Sequence, residues 1–205
     1  HGLFVALNTV LFSNSSILFL DKFRVKETAN QLEKATVLMG VPTHYVRLLK
    51  EKILTKKLVS NMRLFISGSA PLSPRIHKQF YKATGHKILE RYGMTETNMI
   101  TSNPYDADRR AGTVGFPLPG VTIRITDIEN KKLLTQGQVG NIEVKGPNVF
   151  KGYWRMPEKL KTEFRKDGYF ITGDLGFIDR KGYLSISGRG KDLIISGGLN
   201  VYPAE

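Results

Sequence analysis

Apolar residues recur along this chain at two periods, and the dominant period changes near the middle. Up to about Arg110, short apolar runs alternate with helix-spaced patterns. Leu3, Leu7, Val10 and Leu11 share a helical face, which predicts a helix from His1 to about Ser13. Ile17-Leu18-Phe19-Leu20 predicts a short buried strand, Val25 to Lys34 a polar amphipathic helix, and Thr36 to Met39 another strand. Pro42 opens a helix to about Lys52 that carries Tyr45, Leu48 and Leu49 on one face. Leu64-Phe65-Ile66 is a strand that ends in the loop Ser67-Gly68-Ser69-Ala70-Pro71. Ser73 and Pro74 supply an N-cap and a first helical residue; Ile76, Phe80 and Ala83 line that helix and Gly85 stops it. Lys87 to Glu90 predicts a further strand, which delivers the octapeptide Glu90-Arg91-Tyr92-Gly93-Met94-Thr95-Glu96-Thr97. Strands alternating with helices imply an α/β fold, a parallel sheet with helices on its faces. In such sheets ligands sit beyond the carboxyl ends of the strands, where both the Ser67–Pro71 loop and the octapeptide fall.

After Arg110 the texture changes. Gly112, Gly115, Pro117, Pro119 and Gly120 break the helical pattern. Val121 to Thr126, Gly140 to Lys145, Leu175 to Asp179 and Tyr183 to Ser187 alternate at period two, with Asp179-Arg180-Lys181-Gly182 as a hairpin turn. A small antiparallel β unit is therefore expected over 111–187 after an α/β part over 1–110. Gly188-Arg189-Gly190-Lys191-Asp192 reads as a polar linker, and Leu193-Ile194-Ile195 as the start of a further α+β domain over 193–205.

Composition narrows the chemistry. Hydrophobic residues make up 40% and charged ones 24%, enough apolar material for a core and too little charge for a disordered chain. The absence of cysteine excludes a disulfide framework, a thiol nucleophile and a cysteine-metal site. No apolar run approaches the ~20 residues that span a membrane. The net charge of +13 raises a polyanion partner, but Lys56-Lys57, Arg109-Arg110 and Lys131-Lys132 are dispersed pairs. No aromatic-basic interleaving or known reader motif accompanies the charge, so no nucleic-acid partner is expected. The chain begins at His1 and stops at Glu205 without a cleavable signal pattern, which reads as an internal piece of a longer protein.

Common catalytic signatures are missing: no Walker A sequence, no HExxH, no GxSxG. His1, His44, His77 and His86 lack metal spacing and read as surface or packing residues. The octapeptide is the densest chemistry. Tyr92 offers a ring to stack on a base, Thr95 a hydroxyl for a phosphate, and Glu96 a carboxylate for a hard cation such as Mg²⁺. Equally, it is the kind of stretch found at a strand-to-loop junction with a surface carboxylate.

Its company carries a resemblance. Ser67-Gly68-Ser69-Ala70-Pro71, Tyr92-Gly93-Met94-Thr95-Glu96, Thr172-Gly173-Asp174, Gly188-Arg189-Gly190-Lys191-Asp192 and Gly197-Gly198-Leu199-Asn200-Val201-Tyr202-Pro203-Ala204-Glu205 occur in this order. The series resembles the adenylate-forming superfamily of acyl-CoA synthetases, luciferases and peptide-synthetase adenylation domains. The resemblance implies an AMP-forming acid–thiol ligase that uses ATP, coenzyme A and Mg²⁺. It makes 1–110 the second half of the large adenylating subdomain, 111–187 its β-rich subdomain, 188–192 the hinge and 193–205 the start of the carboxy-terminal domain. Residue by residue it implies that Ser69, Ala70 and Pro71 flank the adenine, with Tyr92 stacked on it and Gly93 beside it. Thr95 contacts the α-phosphate, Glu96 holds Mg²⁺, Asp174 accepts the ribose hydroxyls and Arg189 adds a ribose contact. Lys191 matches the hinge position, while Ser196, Gly197 and Gly198 match the loop that lines the coenzyme A tunnel. The family's phosphate loop and its terminal catalytic lysine fall outside this stretch, so the chain alone is expected to be inactive.

For the acid, Arg47 and Arg91 are the informative residues. The runs Glu90 to Asn98, Thr101-Ser102-Asn103-Pro104-Tyr105 and Lys145-Gly146-Pro147-Asn148-Val149-Phe150-Lys151-Gly152-Tyr153-Trp154 resemble the malonyl-CoA synthetase group within this superfamily. There the matching arginines hold the carboxylate that does not react, Met94 closes the pocket and His1 lies near the acyl group. The alternatives are a solvent-facing Arg47 and an Arg91 in a structural ion pair with Glu90 or Asp174. A methylmalonate or other short-acid ligase is the nearest competing function, and an inactive homologue acting as a binding module a further one. A bacterial cytoplasmic setting is expected, with the mitochondrial matrix as the alternative; the sequence says nothing of oligomeric state.

Overall fold

A computed structural model describes residues 2–192, 194–196 and 199–201, with side chains over 5–192. The backbone divides into two units, His1–Tyr92 with Asn103–Gly112, and Gly93–Ser102 with Thr113–Glu205.

In the first unit a helical segment opens with π-type turns over Gly2–Leu7 and continues as α1 (Asn8–Phe12). There follow α2 (Val25–Leu32), β1 (Val37–Gly40), α3 (Pro42–Lys50), β2 (Leu64–Ser67), α4 (Pro74–Thr84) and β3 (Leu89–Met94). β1, β2 and β3 run parallel, with Gly40 opposite Ser67 and Ser67 opposite Glu90. This is the expected α/β order, and its punctuation works as the sequence implies. Pro42 and Pro74 open their helices, and Gly85 ends α4 at a left-handed φ of 78°.

Alternation along β2 splits the core. Phe65 packs with Leu32, Tyr45, Leu48, Phe80 and Ile88, whereas Leu64 and Ile66 pack with Leu89, Val37 and Met39. The buried Tyr45 ring meets Phe80 edge-on at 5.4 Å, and its hydroxyl donates to the Ile66 carbonyl at 2.5 Å. Such a ring contributes apolar burial without stranding its polar tip.

Three expectations are corrected here. Ile17-Leu18-Phe19-Leu20 forms no strand; its first three residues are exposed, Phe19 at 84%, and Leu20 is half-buried. A short apolar run becomes a strand only where a neighbouring strand accepts its hydrogen bonds, and none pairs with these residues. Ser73 has the extended backbone of an N-cap but makes no capping bond with its side chain. β3 does not stop at Glu90: it runs through the octapeptide to Met94. His77 is a packing residue, buried with Nε2 3.0 Å from the Ile88 carbonyl.

In the second unit β4 (Asn98–Ser102) pairs antiparallel with β5 (Phe116–Pro117). The expected antiparallel unit is a four-stranded sheet ordered β6 (Thr122–Thr126), β7 (Gly140–Lys145), β8 (Phe170–Ile178) and β9 (Leu184–Arg189). A short helix missed by sequence periodicity, α5 (Pro157–Glu163), precedes β8. The β8–β9 turn is the expected one: Asp179 Oδ1 accepts the Lys181 and Tyr183 amides, and Gly182 has φ 85°. Gly188 and Arg189, expected in the linker, are the last residues of β9, and 190–192 form one 3₁₀ turn. β10 (Ile194–Ser196) and β11 (Leu199–Val201) form an antiparallel pair beyond it.

Burial in the sheet includes charge. Glu143 on β7 is fully buried, and its carboxylate accepts Arg124 Nε at 2.7 Å, Arg165 Nε at 2.6 Å and the Thr126 hydroxyl at 2.9 Å. Ile142 and Val144 beside it are buried on the opposite face of the same strand. Among the described residues no helix is long and apolar enough to cross a membrane.

Candidate functional site

Parallel pairing brings three strand ends of the first unit to one edge. With Gly40, Ser67 and Glu90 in register, Val41-Pro42, Gly68 to Pro71, and Arg91-Tyr92 all continue from that edge. Ser69 holds φ 68°, a left-handed backbone rarely adopted by residues with a side chain. Such a backbone is kept only where its surroundings impose it, and it recurs at binding loops. Ser69, Ala70 and Pro71 are exposed and small, so a flat ring can approach the backbone there. Tyr92 is buried.

Glu90 and Arg91 are neighbours on β3, so their side chains leave on opposite faces of the strand. Glu90 is buried and accepts the Gly112 amide at 3.4 Å and the Leu72 amide. Burial pushes its carboxyl up to about 8, with those two amides pulling the other way. Arg91 is half-buried, and its Nε is buried with no hydrogen-bond partner. Burial lowers its pKa below the usual arginine value, yet a guanidinium remains charged at any physiological pH. Arg91 and Glu90 form no ion pair, since their side chains lie on opposite faces of β3, so the structural pair considered for Arg91 is not made with that neighbour.

Arg47 lies exposed in the last turn of α3. Its guanidinium carbon sits 5.0 Å from the centroid of the Phe23 ring, which also stacks on His44 at 4.0 Å. Burial, followed by the charge of Arg47, lowers the His44 pKa, so that imidazole stays neutral.

In the second unit the remainder of the octapeptide closes a hairpin. A methyl group on Gly93 would overlap the Asn98 carbonyl and the Met99 backbone, which makes glycine obligatory at that crossing. The turn closes with the Thr97 amide on the Met94 carbonyl at 3.2 Å, and Asn98 follows at φ 52°. Met94 and Glu96 are half-buried, Thr95 is exposed and Thr97 is buried.

A strap from Asn148 to Tyr153 holds this turn. Asn148 Nδ2 donates to the Thr97 and Met99 carbonyls at 2.8 and 3.3 Å, and the Phe150 amide donates to the Glu96 carbonyl at 2.7 Å. Tyr153 donates its hydroxyl to Glu96 Oε1 at 2.9 Å. Burial, with the Glu96 and Glu163 carboxylates beside it, raises the Tyr153 phenol above its ordinary range, so it serves as a donor. Sequence reasoning used this segment only for its likeness to a group; the hydrogen bonds of Asn148 and Tyr153 to the turn were missed. Local pattern gives no sign of them, because partners 57 residues apart meet only after folding.

On β8, Asp174 is buried, its amide donates to the Thr172 hydroxyl at 3.1 Å, and Arg189 Nε lies 3.2 Å from Oδ1. Lys191 is exposed in the turn after β9. Ser196 is placed in β10 by its backbone, while His1, Gly197 and Gly198 lie outside the described residues.

Among the described residues no group of three or more histidines, cysteines or carboxylates forms a metal cage. A half-buried carboxylate with one oxygen oriented by a phenol nevertheless suits a hard cation that draws its other oxygen ligands from a bound phosphate or water.

The family profile described as AMP-binding enzyme matches residues 1–154. The chain is 41% identical over 228 residues to a malonate–CoA ligase of Arabidopsis thaliana, covering 100% of this chain and 36% of the relative. It is 36% identical to a long-chain-fatty-acid–CoA ligase of Bacillus subtilis, covering 100% of this chain and 37% of that one. The crystal structure of ATP-bound MatB from Rhodopseudomonas palustris superposes with a TM-score of 0.97 at 63% identity, over 99% of this chain and 40% of that one. The chain thus spans less than half the length of the relatives that it matches.

Proposed function

The chain belongs to the AMP-binding enzyme family, and from that premise we propose that the protein carrying it is an AMP-forming ligase that joins malonate to coenzyme A. The observation that carries the choice of acid is Arg91, a half-buried guanidinium whose Nε is buried without a partner. A buried charge left unpaired costs several kcal/mol, so such a group favours an anionic ligand. Malonate brings a second carboxylate, and a guanidinium can bind it bidentately. An uncharged acyl chain at the same place would leave the arginine buried and unsatisfied. The likeness to a malonate–CoA ligase supports the same reading.

The proposed chemistry has two steps. A malonate carboxylate oxygen attacks the α-phosphorus of ATP, forming malonyl-adenylate and expelling pyrophosphate. The thiol of coenzyme A then attacks the acyl carbon, loses its proton and expels AMP. In the first unit, Ser69, Ala70, Pro71 and Tyr92 are assigned to the adenine, and Arg91 and Arg47 to the distal carboxylate. In the second, Thr95 is assigned to the α-phosphate, Asp174 and Arg189 to the ribose and Met94 to the acid pocket. Glu96 is assigned to Mg²⁺, which when bound would offset phosphate charge. Lys191 is assigned to the hinge, and Ser196, Gly197 and Gly198 to the pantetheine passage, as His1 is to the acyl pocket. Their task is positioning and electrostatic stabilisation rather than covalent catalysis.

Methylmalonate is the nearest alternative acid, since it keeps both carboxylates. Pyrophosphate release by the protein carrying this chain, measured across malonate, methylmalonate, acetate, butyrate and a long-chain fatty acid, tests the proposal. Malonate should have the highest kcat/KM. Faster turnover of any monocarboxylate would refute the dicarboxylate reading.

A further inference from the structure

We infer that Tyr153 is a positioning residue, whose hydroxyl aims the Glu96 carboxylate at the cation–nucleotide complex. The inference rests on the proposed assignment of Glu96 to the cation and deepens it. Glu96 sits in a tight turn next to the exposed Thr95, where a glutamate side chain would otherwise sample several rotamers. Of the four hydrogen bonds that the strap makes to the turn among the described residues, the three from Asn148 Nδ2 and the Phe150 amide end on backbone carbonyls. They hold the turn but leave the carboxylate free to swing. Among the described residues, only the Tyr153 hydroxyl reaches the side chain, and it takes Oε1. A carboxylate has two oxygens, so Oε2 is left to meet a hard cation.

The phenol is itself held. Its ring meets Phe150 edge-on at 4.8 Å, and the Lys159 ammonium lies 4.8 Å from its centroid. Lys159 pairs with Glu163 at 3.7 Å on α5, and Glu163 also lies against the phenol. Gly152, at φ 135°, takes a backbone that residues with a side chain rarely adopt, and a methyl group there would also press on the end of the Leu160 side chain. These contacts place one hydroxyl behind one carboxylate, the arrangement by which groups behind a metal ligand set its direction.

The test is Mn²⁺ binding by electron paramagnetic resonance, in the protein carrying this chain with a non-hydrolysable ATP analogue, for Glu96→Gln, Tyr153→Phe and the double variant. Phenylalanine keeps the ring contacts, and melting curves report folding. Tyr153→Phe should weaken Mn²⁺ about tenfold, the lower end of what removal of such a supporting group costs. Metal-free nucleotide affinity and melting temperature should stay unchanged, and the double variant should match Glu96→Gln. Wild-type Mn²⁺ affinity in Tyr153→Phe, with a clear loss in Glu96→Gln, would overturn the inference and leave the site reading intact. An unchanged Mn²⁺ affinity in Glu96→Gln would instead overturn the assignment of Glu96 itself. Equal losses of Mn²⁺, metal-free nucleotide and stability in Tyr153→Phe would make the tyrosine merely structural, and an additive double variant would mean that it does not act through Glu96.

Discussion

Asp174 and Arg189 are register partners across β8 and β9, and their side chains pair at 3.2 Å. Arg189 is more than half exposed, so water screens the pair and its removal costs only ~0–1 kcal/mol of stability. Arg189→Ala should therefore leave the melting temperature nearly unchanged while weakening ATP binding severalfold if the ribose assignment holds. Asp174→Ala should weaken it more, since a carboxylate has two oxygens for two hydroxyls. Isothermal titration with ATP and a melting curve check both; wild-type ATP affinity in both variants would refute the assignment.

Arg91→Ala should separate acid from nucleotide. Removing one partner of a buried charge pair costs about 2–5 kcal/mol, equivalent to roughly 30- to several-thousand-fold. Malonate kcat/KM should fall by that order, with ATP affinity changed less than threefold. Equal losses of both would make Arg91 a structural residue.

Glu90 predicts a pH dependence of stability. Its folded pKa, about 8, lies above that of the unfolded chain. The folded state therefore binds the proton more tightly, and this contribution is fully present below about 4.5 and lost as pH rises through about 8. At about 1.4 kcal/mol per unit, the loss is on the order of a few kcal/mol. Glu90→Gln, a neutral mimic, should flatten this part of the profile between pH 5 and 8. Parallel profiles for wild type and variant in urea denaturation would contradict it.

Glu143→Ala should be the most destabilising of these substitutions, because it strands charges rather than a surface pair. Arg165 loses its carboxylate, and Arg124 keeps Asp167 and the face of Tyr169. Breaking a buried ion pair costs about 3–5 kcal/mol. The two guanidiniums are about a fifth exposed, which argues for the lower end. Denaturant midpoints measure it; a change under 1 kcal/mol would mean that the network is not worth its burial.

Much of the first unit was legible because its signals are local. Pro42, Pro74 and Gly85 each act through their own backbone, and the apolar spacing of Tyr45 and Leu48 or of Phe80 follows directly from helix geometry. The Asp179–Gly182 turn was legible for the same reason. The Ile17–Leu20 run was misread because a strand needs a partner as well as apolar residues, and a partner is not a property of the run. Strand β3 was cut short because Gly93 and the polar Arg91 look like loop residues, although the strand carries on to Met94.

By itself the sequence determined the order of strands and helices, the breaks between them and the chemical inventory of the octapeptide, since each depends on residues within a few positions. Only the tertiary structure decided that Glu90 is buried on backbone amides, that Arg91 keeps a buried Nε without a partner, and that Tyr153 reaches Glu96. Burial and long-range hydrogen bonding are set by which distant residues the fold brings together, and charge, direction and protonation follow from that company.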